Sequence, residues 1–211
     1  MNLAQFFVRH ANEILQATLE HLWLTVAAMV LAILIGVPLG ILVTRRPWLS
    51  KPVLGGANIA ETIPSLALFG FLLPVPWLGD RAGRLAIVAL TLYALLPIIR
   101  NTAAGIAGVD PAIREAARGM GMTPRQILLR VELPLSFSTV LAGIRVATVL
   151  TIGIATIAAA VGAGGLGEFI FRGLAMVNNQ IILAGAIPAA LLALAADLFL
   201  SLLESRFRPA R

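Results

Sequence analysis

VDPAIREAARGMGMTPRQILLRVELP, residues 109–134, is the stretch on which the reading of this chain turns. It reads as two short helices joined by glycines. Asp110 is placed to cap the first, with Pro111 at its first position, where a missing N–H costs nothing. Gly119 and Gly121 supply the permissive backbone that ends it. Thr123 caps the second helix, Pro124 takes its first position, and Gln126 completes a capping box. Ile127, Leu128 and Val131 form an apolar stripe at helical spacing, and Pro134 is expected to stop the helix. A loop capped this well is folded. Its apolar face needs a cover, either a partner protein or the chain's own neighbouring helices.

On both sides of this loop the sequence is suited to lipid. Hydrophobic residues make up 59% of the 211 and charged residues 12%, against roughly 45–50% and about 25% in a soluble domain. Residues 22–43, 146–167 and 173–196 contain no ionisable side chain, and a helix needs about 20 apolar residues to cross the hydrocarbon core. The expectation is an all-α membrane protein with five transmembrane helices, over 22–43, 53–73, 85–105, 137–161 and 181–203. The N-terminal segment 1–21 precedes the transmembrane domain 22–203, which contains the loop, and a tail 204–211 follows. The first run is too long for a signal peptide, and only Arg9 supplies a basic flank, so it reads as a retained span. Gly36 and Gly40, four apart, permit close helix packing within it.

Charge sets the orientation. Arg45, Arg46, Lys51, Arg100, Arg114, Arg118, Arg125, Arg130, Arg206, Arg208 and Arg211 fall on one side, and Arg9, Arg81, Arg84 and Arg172 on the other. The richer side is expected to be cytoplasmic, which puts the N-terminus outside and the C-terminus inside. The same rule accounts for the net charge of +6 without nucleic acid. Glu61, Arg145 and Asp197 fall within spans. Such groups serve either as buried pairs and packing or as part of a transport path, and both readings stay open. Trp23, Trp48 and Trp77 lie near span ends, as an aromatic belt would.

Several chemistries find no support. The only lysine, Lys51, follows Ser50, so a phosphate-binding P-loop is missing. The chain has no cysteine, and His10 and His21 stand apart at the start of the first span, where interfacial positions are expected; no metal site or cofactor is implied. Residues 162–167, GAGGLG, match the dinucleotide fingerprint formally but lack its preceding strand and its acidic residue about 20 positions on. They read instead as a tight turn at the membrane surface, followed by a short amphipathic helix through Phe169, Ile170 and Leu174. No catalytic residues are indicated.

The spacing within the loop carries a resemblance. Glu115-Ala116-Ala117, three residues, Gly121, nine residues, Val131, one residue and Leu133-Pro134 resemble the EAA loop of ABC-importer permeases, with Val131 where that family favours Ile. ETIPSLAL at 61–68, YALLPIIRN at 93–101, Glu132 to Pro134 with Gly143-Ile144-Arg145, and GAGGLG at 162–167 resemble the osmoprotectant branch, which imports glycine betaine, carnitine and choline. The resemblance implies a type I importer permease fold in the bacterial inner membrane. It implies that Glu115, Ala116, Ala117, Gly121, Thr123, Pro124, Leu133 and Pro134 form the element that docks on an ATPase subunit, present in two copies. It further implies a second permease copy or paralogue, the lipid bilayer, and a separate extracytoplasmic substrate-binding protein. Gly162, Gly164, Gly165, Gly167, Phe169 and Arg172, together with the loop 74–84, are the candidate docking surface for that binding protein. A permease for another small solute, such as an amino acid, is the alternative. A stand-alone channel or secondary transporter leaves the loop unexplained, and a membrane enzyme lacks the clustered acids, histidines or nucleophile it would need.

Overall fold

The computed structural model describes residues 3–207; Arg208 and Arg211, counted above in the tail, lie outside the described residues. Among these residues every regular element is a helix. Helices α1 (Leu3–Arg9) and α2 (Ala11–Arg45) lead into α3 (Pro47–Thr62) and α4 (Ser65–Leu72), then α5 (Ala82–Ala107) and α6 (Pro111–Gly119). A helix beginning as α7 (Pro124–Ile127) passes through a π turn, Leu128–Glu132, into α8 (Leu133–Ala158); α9 (Gly167–Ala175) and α10 (Asn179–Arg206) complete the chain.

Among the described residues four stretches are long and apolar enough to cross a membrane: Ala11–Arg45, Ala82–Ala107, Pro124–Val161 and Asn179–Arg206. The continuous second span expected over 53–73 is instead two shorter helices, parted at Ile63 and Pro64. A proline pushes the residue before it out of the helical region, and Ile63 sits at φ −68°, ψ 128°. The break is satisfied locally, because the Tyr93 hydroxyl of α5 donates to the Ile63 carbonyl. The first span also starts earlier than expected. At 1.5 Å per residue the 35 residues of α2 reach about 52 Å, so its ends project beyond a hydrocarbon core of about 30 Å.

Helix α5 is the core of the bundle. Leu85, Ala86, Ala89, Leu90, Ala94, Leu96, Ile98 and Ile99 along it are all almost fully buried, with α2 packed on one side and α8 on another. Small residues set these distances. A Cβ on Gly36 would come within 2.8 Å of Ile98, and one on Gly40 within 2.5 Å of Thr102, so the pair spaced four apart holds α2 against α5. Gly143 of α8 similarly leaves room for Asn101. Helix α10 packs on α8 and α9. Its outer face, with Leu191, Leu194, Leu198, Phe199 and Leu202, is exposed, as a lipid-facing or partner-facing surface would be.

Pro134 does not stop the second loop helix, contrary to expectation. The π turn before it pairs the Leu133 N–H with the Leu128 carbonyl, five residues back. A wider turn relieves the clash between a proline ring and the carbonyl four residues earlier. The loop helix and α8 are therefore one mechanical rod.

Candidate functional site

Residues 109–134 fold locally as their caps dictate. The Ala112 N–H donates to Asp110 Oδ1 at 2.8 Å. The Thr123 N–H donates to Gln126 Oε1 at 2.8 Å and the Gln126 N–H to Thr123 Oγ1 at 3.3 Å, a complete capping box. Between the two helices Met120 ends α6, and Gly121 turns the chain at φ +78°. Gly119 is the last helical residue of α6 and not part of the turn.

The apolar stripe is used differently from the expectation of an open face. Ile127 is buried, Leu128 and Val131 are half-buried, and Ala117 beneath α6 is 1% exposed, so the stripe is covered by the chain itself. Glu115, Ala116, Arg118, Gly121, Thr123 and Pro124 remain exposed, with Met120 and Leu129 among them. Leu133 is half-buried and Pro134 exposed, where the π turn passes into α8.

What fixes this unit to the bundle is a carboxylate that sequence reasoning named only as part of the resemblance and gave no role. Glu132 is 2% exposed and accepts from two arginines. Arg114 of α6 donates through Nε to Oε1 at 3.0 Å, and Arg45, the last residue of α2, donates from Nη2 to Oε2. Arg114 also donates from Nη2 to the Ile106 carbonyl near the end of α5. One carboxylate thus joins α2, α5, α6 and the rod. A usable signal was present: Glu132 is the one acid between Glu115 and Glu168, in a segment carrying Arg118, Arg125 and Arg130. Behind α6 these groups line an open cavity of ≈ 560 Å³, together with Ser50 and Arg118.

The in-span charges separate into two cases. Arg145 and Asp197 meet across α8 and α10 in a bidentate pair, Nε to Oδ1 at 2.6 Å and Nη2 to Oδ2 at 3.0 Å, and Glu204 lies 3.5 Å from Nη1. They are paired charges that hold two helices together. Glu61 is far from them in the chain, half-buried in the last turn of α3 just before the Ile63–Pro64 break.

The opposite end of the rod lies about 39 Å away for the 26 residues of α8 at 1.5 Å each. There Gly162, Gly164 and Gly165 all take positive φ, and α9 follows as expected. Several of the residues singled out for docking prove to face inward, however. Gly165, Gly167 and Phe169 are buried, and Phe169 packs with Leu166, Ile181 and Ala184. The physical reason is that α9 lies flat on α10 and needs its aromatic side as an anchor. Gly162 and Arg172 are exposed, as are Phe171, Leu174, Met176 and Val177, while Gly164 is half-buried. Arg172 stacks over Phe169 at 4.8 Å and reaches Glu13 at 3.9 Å. His21, expected at the interface, is fully buried. Its Nε2 lies 3.0 Å from the Ile152 carbonyl, and Gly165 packs against its ring. His10 is half-buried and stacks on Phe6. Among the described residues no three histidines, cysteines or acids converge as metal ligands.

Comparison with known proteins places these features. The model of a family described as binding-protein-dependent transport system inner membrane component matches residues 32–209. The carnitine transport permease protein OpuCB of Listeria monocytogenes is 44% identical over 98% of this chain and 94% of its own length. The osmoprotectant import permease protein OsmW of Salmonella typhimurium is 43% identical over 99% and 98%, and the choline transport system permease protein OpuBB of Bacillus subtilis 40% over 99% and 95%. Among solved structures, an inward-facing MetNI methionine ABC transporter matches with a TM-score of 0.83 at 24% identity, over 93% of this chain and 96% of that one. An amino acid ABC transporter crystallised with histidines matches at 0.79 and 20%, over 98% and 99%. At these identities the structural matches establish the fold.

Proposed function

We propose, from the premise that this chain belongs to the binding-protein-dependent transport system inner membrane components, that it forms the translocation path for quaternary-amine solutes. It is an inner-membrane permease subunit of an ABC importer. Glycine betaine, carnitine and choline are the solute class, because the relatives that align along nearly the whole chain are named for such substrates. ATP hydrolysis resides in two copies of a partner ATPase, a second permease copy or paralogue completes the path, and a separate binding protein delivers the solute.

The observation that carries this reading is the α6 turn. It presents Glu115, Arg118, Met120 and Gly121 outward, and Glu132 ties it to the end of α2 and, through Arg114, to the end of α5. A force applied at α6 passes directly into the rod, because α7, the π turn and α8 are continuous. At the far end the docking contacts for the binding protein are Arg172, Phe171, Leu174, Met176 and Val177, with the loop at Trp77. Phe169, Gly165 and Gly167 shape this surface from beneath.

On this reading α3 and α4 together make the fifth crossing, bent at Pro64, with the N-terminus outside and the Arg206 end inside. The segment 1–21 is extracytoplasmic, and the residues after 203 are cytoplasmic. Single cysteines at the exposed positions Lys51 and Asp80 test the sidedness: an impermeant thiol reagent on intact cells should label the second only, and labelling of the first alone would reverse it.

The function itself is tested by co-expressing the chain with its partner ATPase and binding protein. The expected result is ATP-dependent uptake of a quaternary amine into vesicles and co-purification of the ATPase. Uptake that proceeds without any ATPase would assign the chain to the stand-alone class, and uptake confined to an amino acid would redirect the solute class.

A further inference from the structure

On the glycine-loop face of the bundle lies a groove of ≈ 410 Å³ between the first turns of α5 and the α2 segment near Trp23. The loop 74–84, part of the proposed docking surface, supplies its Arg81 and Arg84, but the hollow itself has no role in the importer reading. Its lining is sorted by chemistry. Arg81 and Arg84 stand on one rim, Glu20 and Trp23 on the other, and Leu24 and Ile87 make an apolar floor. Arg81 and Arg84 are both exposed, and among the described residues neither meets a carboxylate. Arg84 only lies over the Trp77 ring, at 5.8 Å. They are two of the four basic residues on this face, where the positive-inside rule leaves few, and the two others are at Arg9 and at the Glu13 partner Arg172.

Charge on the second rim is of the opposite sign and is fixed in place. Glu20 Oε2 accepts the Gly165 N–H at 3.2 Å, and Oε1 accepts from Gln16 at 3.1 Å. Trp23 is 67% exposed, an amphipathic ring at the position where aromatic belts meet lipid headgroups. A cation beside it would gain from the ring face as well as from the carboxylate.

The groove does not close toward the protein's interior. Below Trp23 it continues into a stripe of exposed apolar side chains at helical spacing along α2: Val26, Val30 and Leu34, with Leu19 just above. A small zwitterion would leave that stripe bare. A molecule with an anionic group, an ammonium group and hydrocarbon chains covers all three parts at once.

We propose that this groove holds a zwitterionic aminophospholipid of the surrounding leaflet. Its phosphate sits between Arg81 and Arg84, its amine reaches Glu20 beside Trp23, and an acyl chain lies along Val26, Val30 and Leu34. The bound lipid bridges α2 to the start of α5 and buttresses the glycine turn through Glu20. It is a structural ligand, independent of the solute carried.

Native mass spectrometry of the full-length chain in mild detergent tests the assignment, with an equimolar mixture of dioleoyl phosphatidylethanolamine and dioleoyl phosphatidylglycerol as the probe. The expected result is a retained phosphatidylethanolamine adduct. The Arg81→Gln/Arg84→Gln double variant should lose it by roughly thirtyfold, the order expected for two basic contacts to lipid, while Arg81→Lys/Arg84→Lys retains it. Glu20→Gln should keep a phospholipid but lose the preference for phosphatidylethanolamine. An adduct that survives unchanged in the double glutamine variant would overturn the proposal. So would an adduct displaced by free glycine betaine, which would make the groove a solute site.

Discussion

At one end of the molecule Gly121 turns the chain at φ +78°, and no atom lies within 4 Å of the place a Cβ would take; at the other, Gly165 turns it at φ +82° with His21 Nδ1 3.2 Å from that place. Two residues on, a Cβ at Gly167 would overlap the Thr156 carbonyl and approach Ala159 Cβ to 2.8 Å. The first turn is left open by its own chain, as a surface kept for a partner would be. The second is packed into the body of the protein, and its glycines are steric necessities. The ionic clusters repeat the contrast. Glu132 is buried between two arginines, whereas the Arg145–Asp197 pair is about one-third exposed on each side chain.

If the glycine-loop turn is a packed joint, Gly167→Ala should have the largest effect on the fold. The obstruction is backbone, which cannot rotate away, so the cost should reach about 3 kcal/mol or more. Membrane abundance and the yield of monodisperse protein after detergent extraction should both collapse. Near-normal recovery would show that α9 can lift from α8, and the distinction between the two turns would fail.

The ionic clusters give the next test. Glu132→Gln leaves Arg45 and Arg114 facing a buried amide, at a cost of about 2–4 kcal/mol. Protein should still reach the membrane but melt earlier, and the α6 segment should become sensitive to protease. Asp197→Asn should do measurably less, since Arg145 keeps Glu204 nearby to share its charge. If the two variants shift the melting midpoint equally, burial is not what separates the clusters.

How far the sequence alone reached follows the same division. Caps and turns are short-range, so Asp110, Thr123, Gln126 and Gly121 were legible with their roles. Three uncharged runs, with the apolar stretch 85–105, located the four long helices, and Gly36 with Gly40 announced a close contact. Long-range pairings were not legible. Nothing local says that Glu132 meets Arg45, 87 residues away, or that Arg145 meets Asp197 and not Glu61. The inward face of α9 was misread because a nine-residue helix with apolar residues on several sides does not reveal which side its neighbour covers. His21 went the same way: beside a run of apolar residues it looked interfacial, and only the return of the glycine loop onto α2 buries it. Pro64 and Pro134 show the limit of punctuation signals. One broke its helix and the other did not, because the π turn ahead of Pro134 depends on how the whole rod is seated.

The smallest effect on the fold, and the sharpest test of the contrast, belongs to Gly121. In the isolated chain Gly121→Ala should cost only the left-handed backbone penalty, about 1–2 kcal/mol. Gly121→Val should cost somewhat more because its β-branch further disfavours that conformation. Neither meets a neighbour, so both proteins should insert and remain monodisperse. The complex should separate them. If the α6 turn is the coupling element, a valine side chain at its apex would stand against the ATPase, so Gly121→Val should lose the ATPase on purification and abolish uptake, while Gly121→Ala keeps a measurable part of both. Melting midpoint, ATPase retention and uptake, read on the same preparations, give the result. Should the valine variant retain its ATPase and transport normally, the open space around Gly121 is ordinary solvent, and the α6 turn is not the coupling element.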